Sequence, residues 1–167
     1  MPAFRVFLST VSSEFGLARD ALAKDLSARG ATVSWQEAFR QEPGSPTLLG
    51  LLHDYVRDCQ AVVCVLGARS GACPPPAAVT EAFKGMLPAG IERASYTQWE
   101  FFFARHHARR LSLYRARPDH TPDKPTGEDV PGLQQAFLGH VKDTHLSVEL
   151  LSLSGRLSNP KPPQAVA

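Results

Sequence analysis

The chain has 167 residues, of which 43% are hydrophobic and 20% charged, with a net charge of +2. That is enough chain for one globular domain with a real core, and too little charge excess to draw nucleic acid or an anionic membrane. No apolar run approaches the roughly 20 residues that span a bilayer, and no apolar leader opens the chain, so a cytoplasmic protein is expected, without membrane or nucleic-acid partners.

Phe4, Val6 and Leu8 begin a short strand that ends in a hydroxyl-rich run from Ser9 to Ser13. A helix follows, with Phe15, Ala18, Leu22 and Leu26 on one face, and Gly30 beyond it is a plausible stop. Residues 31–35 form a second strand ending in Trp35. After a loop at 40–44, Ser45 and Pro46 are placed as cap and first helical residue of the next helix. Its apolar stripe is Leu48, Leu51, Leu52, Tyr55, Val56 and Cys59.

The run Ala61 to Leu66 is apolar without interruption and rich in β-branched valine. That pattern belongs to a strand buried on both faces, and so to the centre of a parallel sheet. Gly67 ends it, and residues 71–94 read as a long surface insertion with room for one helical turn. A helix over 97–110 ends in basic residues that suit its dipole. Residues 111–114 form a fourth strand, and 117–130 a polar loop. Pro131 opens a helix carrying Leu133, Phe137, Leu138 and Val141. His145 and Leu146 form a minimal fifth strand, and a last helix is predicted over 147–157. The domain is thus expected over 1–157, with 158–167 a proline-rich tail or linker. Strands alternating with helices predict an α/β, flavodoxin-like three-layer sandwich around a central parallel sheet of four to five strands.

Several chemistries are excluded. The first strand is not followed by a dinucleotide fingerprint, and there is no phosphate-binding lysine loop. Gly67-Ala68-Arg69-Ser70-Gly71 does not have the form of a nucleophile elbow. Cys59, Cys64 and Cys73 make an odd set without paired metal spacing. The adjacent His106 and His107 point about 100° apart on a helix, so no metal site is expected. One residue stands out. Glu100 enters an apolar helix face, Trp99-Glu100-Phe101-Phe102-Phe103, at the sheet edge where such folds bind ligands. A carboxylate so early in a helix also favours the helix dipole, so the position alone does not make it functional.

The segments Phe7-Leu8-Ser9-Thr10, Gln36-Glu37-Ala38-Phe39, Ser45-Pro46, Val65-Leu66-Gly67-Ala68-Arg69-Ser70-Gly71 and Ser95-Tyr96-Thr97-Gln98-Trp99-Glu100 follow one another in an order that resembles TIR-like domains. The resemblance covers 4–157 and is to modules that precede NTPase or repeat domains, so further domains C-terminal to this segment are implied. It also implies NAD⁺ glycohydrolase activity in an immune-type signalling protein, switched on by self-association through the loop from Arg40 to Ser45. Glu100 would be the catalytic carboxylate, with NAD⁺ as substrate and no resident cofactor. Trp35, Tyr96 and Trp99 would stack on the nicotinamide or adenine. Ser9, Thr10 and Arg69 would hold phosphate, the first two beside a helix N-terminus. Each has a plainer reading: Trp99 as core, Ser9 and Thr10 as helix caps, Arg69 as an exposed arginine. In the usual pattern Trp and Cys stand ahead of the glutamate, whereas here Trp99 directly precedes it and no cysteine does. That departure favours the alternative, a non-catalytic protein–protein interaction adaptor. Base exchange on nucleosides is a third reading.

Overall fold

The computed structural model describes residues 2–39 and 47–143, and the backbone of 148–151. The fold is α/β and flavodoxin-like. Five strands lie in the order β2-β1-β3-β4-β5, every neighbouring pair parallel. They are β1 (Arg5–Thr10), β2 (Thr32–Ser34), β3 (Ala61–Leu66), β4 (Arg110–Ala116) and β5 (Val148–Leu151). The helices are α1 (Ser12–Ala28), α2 (Leu48–Asp58), α3 (Glu81–Lys84), α4 (Tyr96–His106) and α5 (Leu133–Asp143).

The two faces of the sheet are unequal. Phe7, Val62, Cys64 and Leu113 face a large core shared with α2, α4 and α5. The intervening positions Val6 and Leu8 face α1, in a smaller cluster with Ala23. Period-two alternation produces this split from a single strand sequence. The apolar helix of the notable glutamate is α4, which is buried continuously from Gln98 to Ala104. A capping box fixes its start: Ser95 Oγ accepts from the Gln98 amide, and Gln98 Oε1 accepts from the Ser95 amide.

Three expectations change. The last helix predicted over 147–157 gives way over Val148–Leu151 to strand β5; the minimal strand expected at His145 and Leu146, and the rest of the predicted helix, lie outside the described residues. Pairing of Leu113 with Val148 and of Tyr114 with Glu149 decides the matter, because the exposed edge of β4 offers unpaired backbone groups that a fifth strand satisfies. The cap at Ser45 and Pro46 also lies outside the described residues, and Thr47 is the residue that caps α2, through the Gly50 amide at 3.2 Å. The 71–94 segment carries more than one turn, a 3₁₀ turn at Pro76–Ala78 and α3. It is packed down rather than loose, since Val79, Phe83, Met86 and Ile91 join the large core.

Candidate functional site

The strand order reverses direction between β1 and β3: the chain leaves β1 toward β2, and leaves β3 toward β4. Crevices at such points, at the carboxyl ends of the strands, are where α/β sheets bind ligands. Ser9, near the end of β1, is registered against Cys64 of β3. Alternation turns Ser9 to the same face as Phe7, toward α4. There its hydroxyl meets the Glu100 carboxyl at Oε2, and it also lies 3.3 Å from the Thr97 carbonyl oxygen.

Glu100 is 1% exposed and Ser9 2%. The second carboxyl oxygen, Oε1, is buried and has no hydrogen-bond partner among the described residues. Leaving a buried polar atom unpaired costs about 1–3 kcal/mol, so each such atom calls for an explanation, of which a catalytic role is one and a bound water another. Burial pushes the Glu100 carboxyl well above the ordinary glutamate range; the Ser9 hydrogen bond opposes that, and the Glu37 charge adds to it. Cys64 lies beside the pair. Burial and the neighbouring Glu100 raise its thiol, while Ser9 eases it, so Cys64 stays a protonated, unreactive thiol at neutral pH.

The other expected site residues are distributed around this pair. Thr10, 9% exposed, faces the opposite side of the sheet. It lines a cavity of about 430 Å³ between α1 and the sheet, with Leu8, Phe15, Leu22, Val65 and Tyr114 among its walls, and its hydroxyl is unpartnered. Trp35 carries the Arg19 guanidinium over its ring at 5.2 Å. Arg19 in turn bonds Ser12 and Glu37, and Ser12 donates to Glu37. Arg69 commits its guanidinium to three backbone carbonyls, of Ser13, Lys124 and Pro125. Trp99 is sealed in the core against Phe83 and Phe103. Tyr96 is partly buried at the start of α4; burial, Cys73 and Glu128 raise its hydroxyl. Of the expected residues, the fold therefore brings Ser9 directly onto Glu100.

A second buried carboxylate escaped the sequence reading. Glu14, on the first turn of α1, is 1% exposed and accepts from the amides of Ala68 and Arg69 at 2.9 and 3.0 Å. Gly67 is needed for this approach, because a Cβ there would collide with the Glu14 carboxylate. The loop after β3 is held from further sides. Asp129 accepts from the Ser70 amide and hydroxyl, the backbone bond foremost in lowering its carboxyl. Gln134 donates to the Gly67 carbonyl and accepts from Gln98. The only sequence signal for Glu14 was a lone acid beside Phe15 at the head of an apolar helix.

Among the described residues, no group of three or more His, Cys, Asp or Glu side chains is placed to hold a metal ion, and no helix is long and apolar enough to cross a membrane. The model of the family described as "Domain of unknown function (DUF4062)" matches residues 5–148. The chain belongs to that family; no TIR family matches. A search of curated proteins returned no match.

Proposed function

We propose that this member of the DUF4062 family hydrolyses NAD⁺ between nicotinamide and ribose, with Glu100 as the reacting carboxylate. One observation carries the reading: a carboxyl buried at the sheet's reversal point, with one oxygen on Ser9 and the other without a partner. A structural carboxylate is better served by partners on both oxygens, as Glu14 is.

The chemistry asks little else of the protein. The C1′–N bond of NAD⁺ breaks with its electron pair leaving on nicotinamide, which departs neutral. The ribose becomes oxocarbenium-like, and an ionised carboxylate beside it stabilises that charge or captures C1′. Water then supplies the new C1′–O bond and releases one proton. Burial shifts the carboxyl well above the ordinary glutamate range, and the cationic nicotinamide of a bound NAD⁺ would favour its ionised form. Trp35 and Tyr96, both partly exposed, supply stacking surfaces, and the TIR-like resemblance supports activation by self-association within a larger immune-type protein.

The adaptor reading is favoured by the closure of the site, since Glu100 is 1% exposed and lines neither described cavity. Incubation of the full chain with NAD⁺, dilute and clustered, followed by chromatography, separates the two. Nicotinamide and an ADP-ribose product appear for the parent and not for Glu100→Gln. An NAD⁺ pool that stays intact under both conditions leaves the adaptor.

A further inference from the structure

We infer that Ser9 is a positioning residue for Glu100: its hydroxyl hydrogen points to the Thr97 carbonyl while the carboxyl is neutral, and turns onto the carboxylate when it ionises. This refines the function proposed above and rests on that reading only for its catalytic consequence.

The argument is one of donors and acceptors. Ser9 Oγ contacts two oxygens, Glu100 Oε2 and the Thr97 carbonyl. A serine has one hydrogen and two lone pairs, and a carbonyl oxygen can only accept. Both contacts are satisfied together in a single arrangement. The neutral carboxyl donates its O–H to Ser9 Oγ, and Ser9 donates to Thr97. Once Glu100 ionises it becomes acceptor-only, and the Ser9 hydrogen must turn to it. Thr97 keeps a place for the released bond, since a backbone carbonyl has two lone pairs and sits within the first turn of α4.

The surroundings leave this rotor as the nearby group that favours the charge. Oε1 has no partner. From the 3₁₀ turn at Gln36–Ala38, Glu37 opposes ionisation. From β3, Cys64 presents a neutral thiol whose own ionisation Glu100 hinders and Ser9 eases. Ser9 is the one group acting on Glu100 that lowers its proton affinity. It is fixed on a central strand, between β2 and β3, so its donor is aimed without help from a loop. Such preorganised donors supply most of what a buried site contributes to a developing charge.

The test follows unfolding of the full chain as a function of pH without substrate, in the parent, Ser9→Ala, Ser9→Thr and Glu100→Gln. The parent loses stability as pH rises above the ordinary glutamate value of 4.5 and through the raised folded value. In Ser9→Ala the end of that decline moves to higher pH, Ser9→Thr returns it toward the parent, and Glu100→Gln abolishes it. If Ser9→Ala folds poorly, Ser9→Cys, a weaker donor of similar shape, gives an intermediate displacement. A Ser9→Ala curve that is lower but parallel to the parent overturns the inference and leaves Ser9 a packing residue. In a second arm, the acid limb of NAD⁺ turnover moves in the same direction. Displaced stability curves with no turnover in any variant sink the glycohydrolase reading while upholding the role of Ser9.

Discussion

Glu14 and Glu100 are the two fully buried acids described in this molecule, each 1% exposed, and they are treated in opposite ways. Glu14 receives two backbone amides, one on each oxygen, and thereby ties the head of α1 to the loop after β3. Glu100 meets one hydroxyl at one oxygen, and its other oxygen has no partner among the described residues. Burial is the same; satisfaction is not. A carboxylate matched to fixed amides holds structure together, whereas one left half-bonded keeps a lone pair that the fold itself does not use. The second kind of group is where chemistry is to be sought.

That contrast can be broken by substitution. Glu100→Gln is expected to lower nicotinamide release at least about a thousandfold, as removal of a reacting carboxylate does, while leaving the fold at least as stable at neutral pH. Glu14→Ala should do the reverse: a loss of about 3 kcal/mol in urea unfolding, because two inward amides lose their acceptor. A Glu14 variant as stable as the parent would show that water replaces the clamp. Gly67→Ala should cost a similar amount in the parent and much less in the Glu14→Ala background, since the collision is with that side chain. A double-mutant cycle measures the coupling, and strict additivity would place the strain elsewhere.

A gentler probe is pH. A raised carboxyl binds its proton more tightly in the folded state, so stability is full below 4.5 and declines as pH climbs through the folded value. Thermal unfolding of Glu100→Gln should show that decline removed, and an unchanged curve would mean that other groups set it. The smallest effect is expected at Arg69→Lys, about 1 kcal/mol of stability from lost carbonyl bonds, with KM for NAD⁺ unchanged. A raised KM would instead make Arg69 a phosphate ligand.

Much of the scaffold was legible in the residues. The uninterrupted Ala61 to Leu66 run pointed to a central strand covered on both faces, and β3 lies between β1 and β4 with Val62 and Cys64 in one core and Val63 packed against the other. The Phe15, Ala18, Leu22 stripe marked the inner side of α1. β5 was not legible, because Val148 to Leu151 is too short to show a period and its state is decided by the edge of β4, not by its own sequence. The rim position of Glu100 could be read, but its partner could not. Ser9 lies 91 residues away, and the amides that hold Glu14 are 54 and 55 residues distant. Local pattern carries no information about such pairs. They follow only once strand register has placed β1 beside β3.

The clearance at Gly67 has a consequence for anyone mapping tolerance by saturation mutagenesis. Substitutions there should be strongly depleted, although the glycine has no side chain to react. A survival screen would score the spot as essential and invite a search for chemistry in the wrong loop. Reading the depletion jointly with position 14 would recover its meaning: an empty volume, kept vacant for a carboxylate.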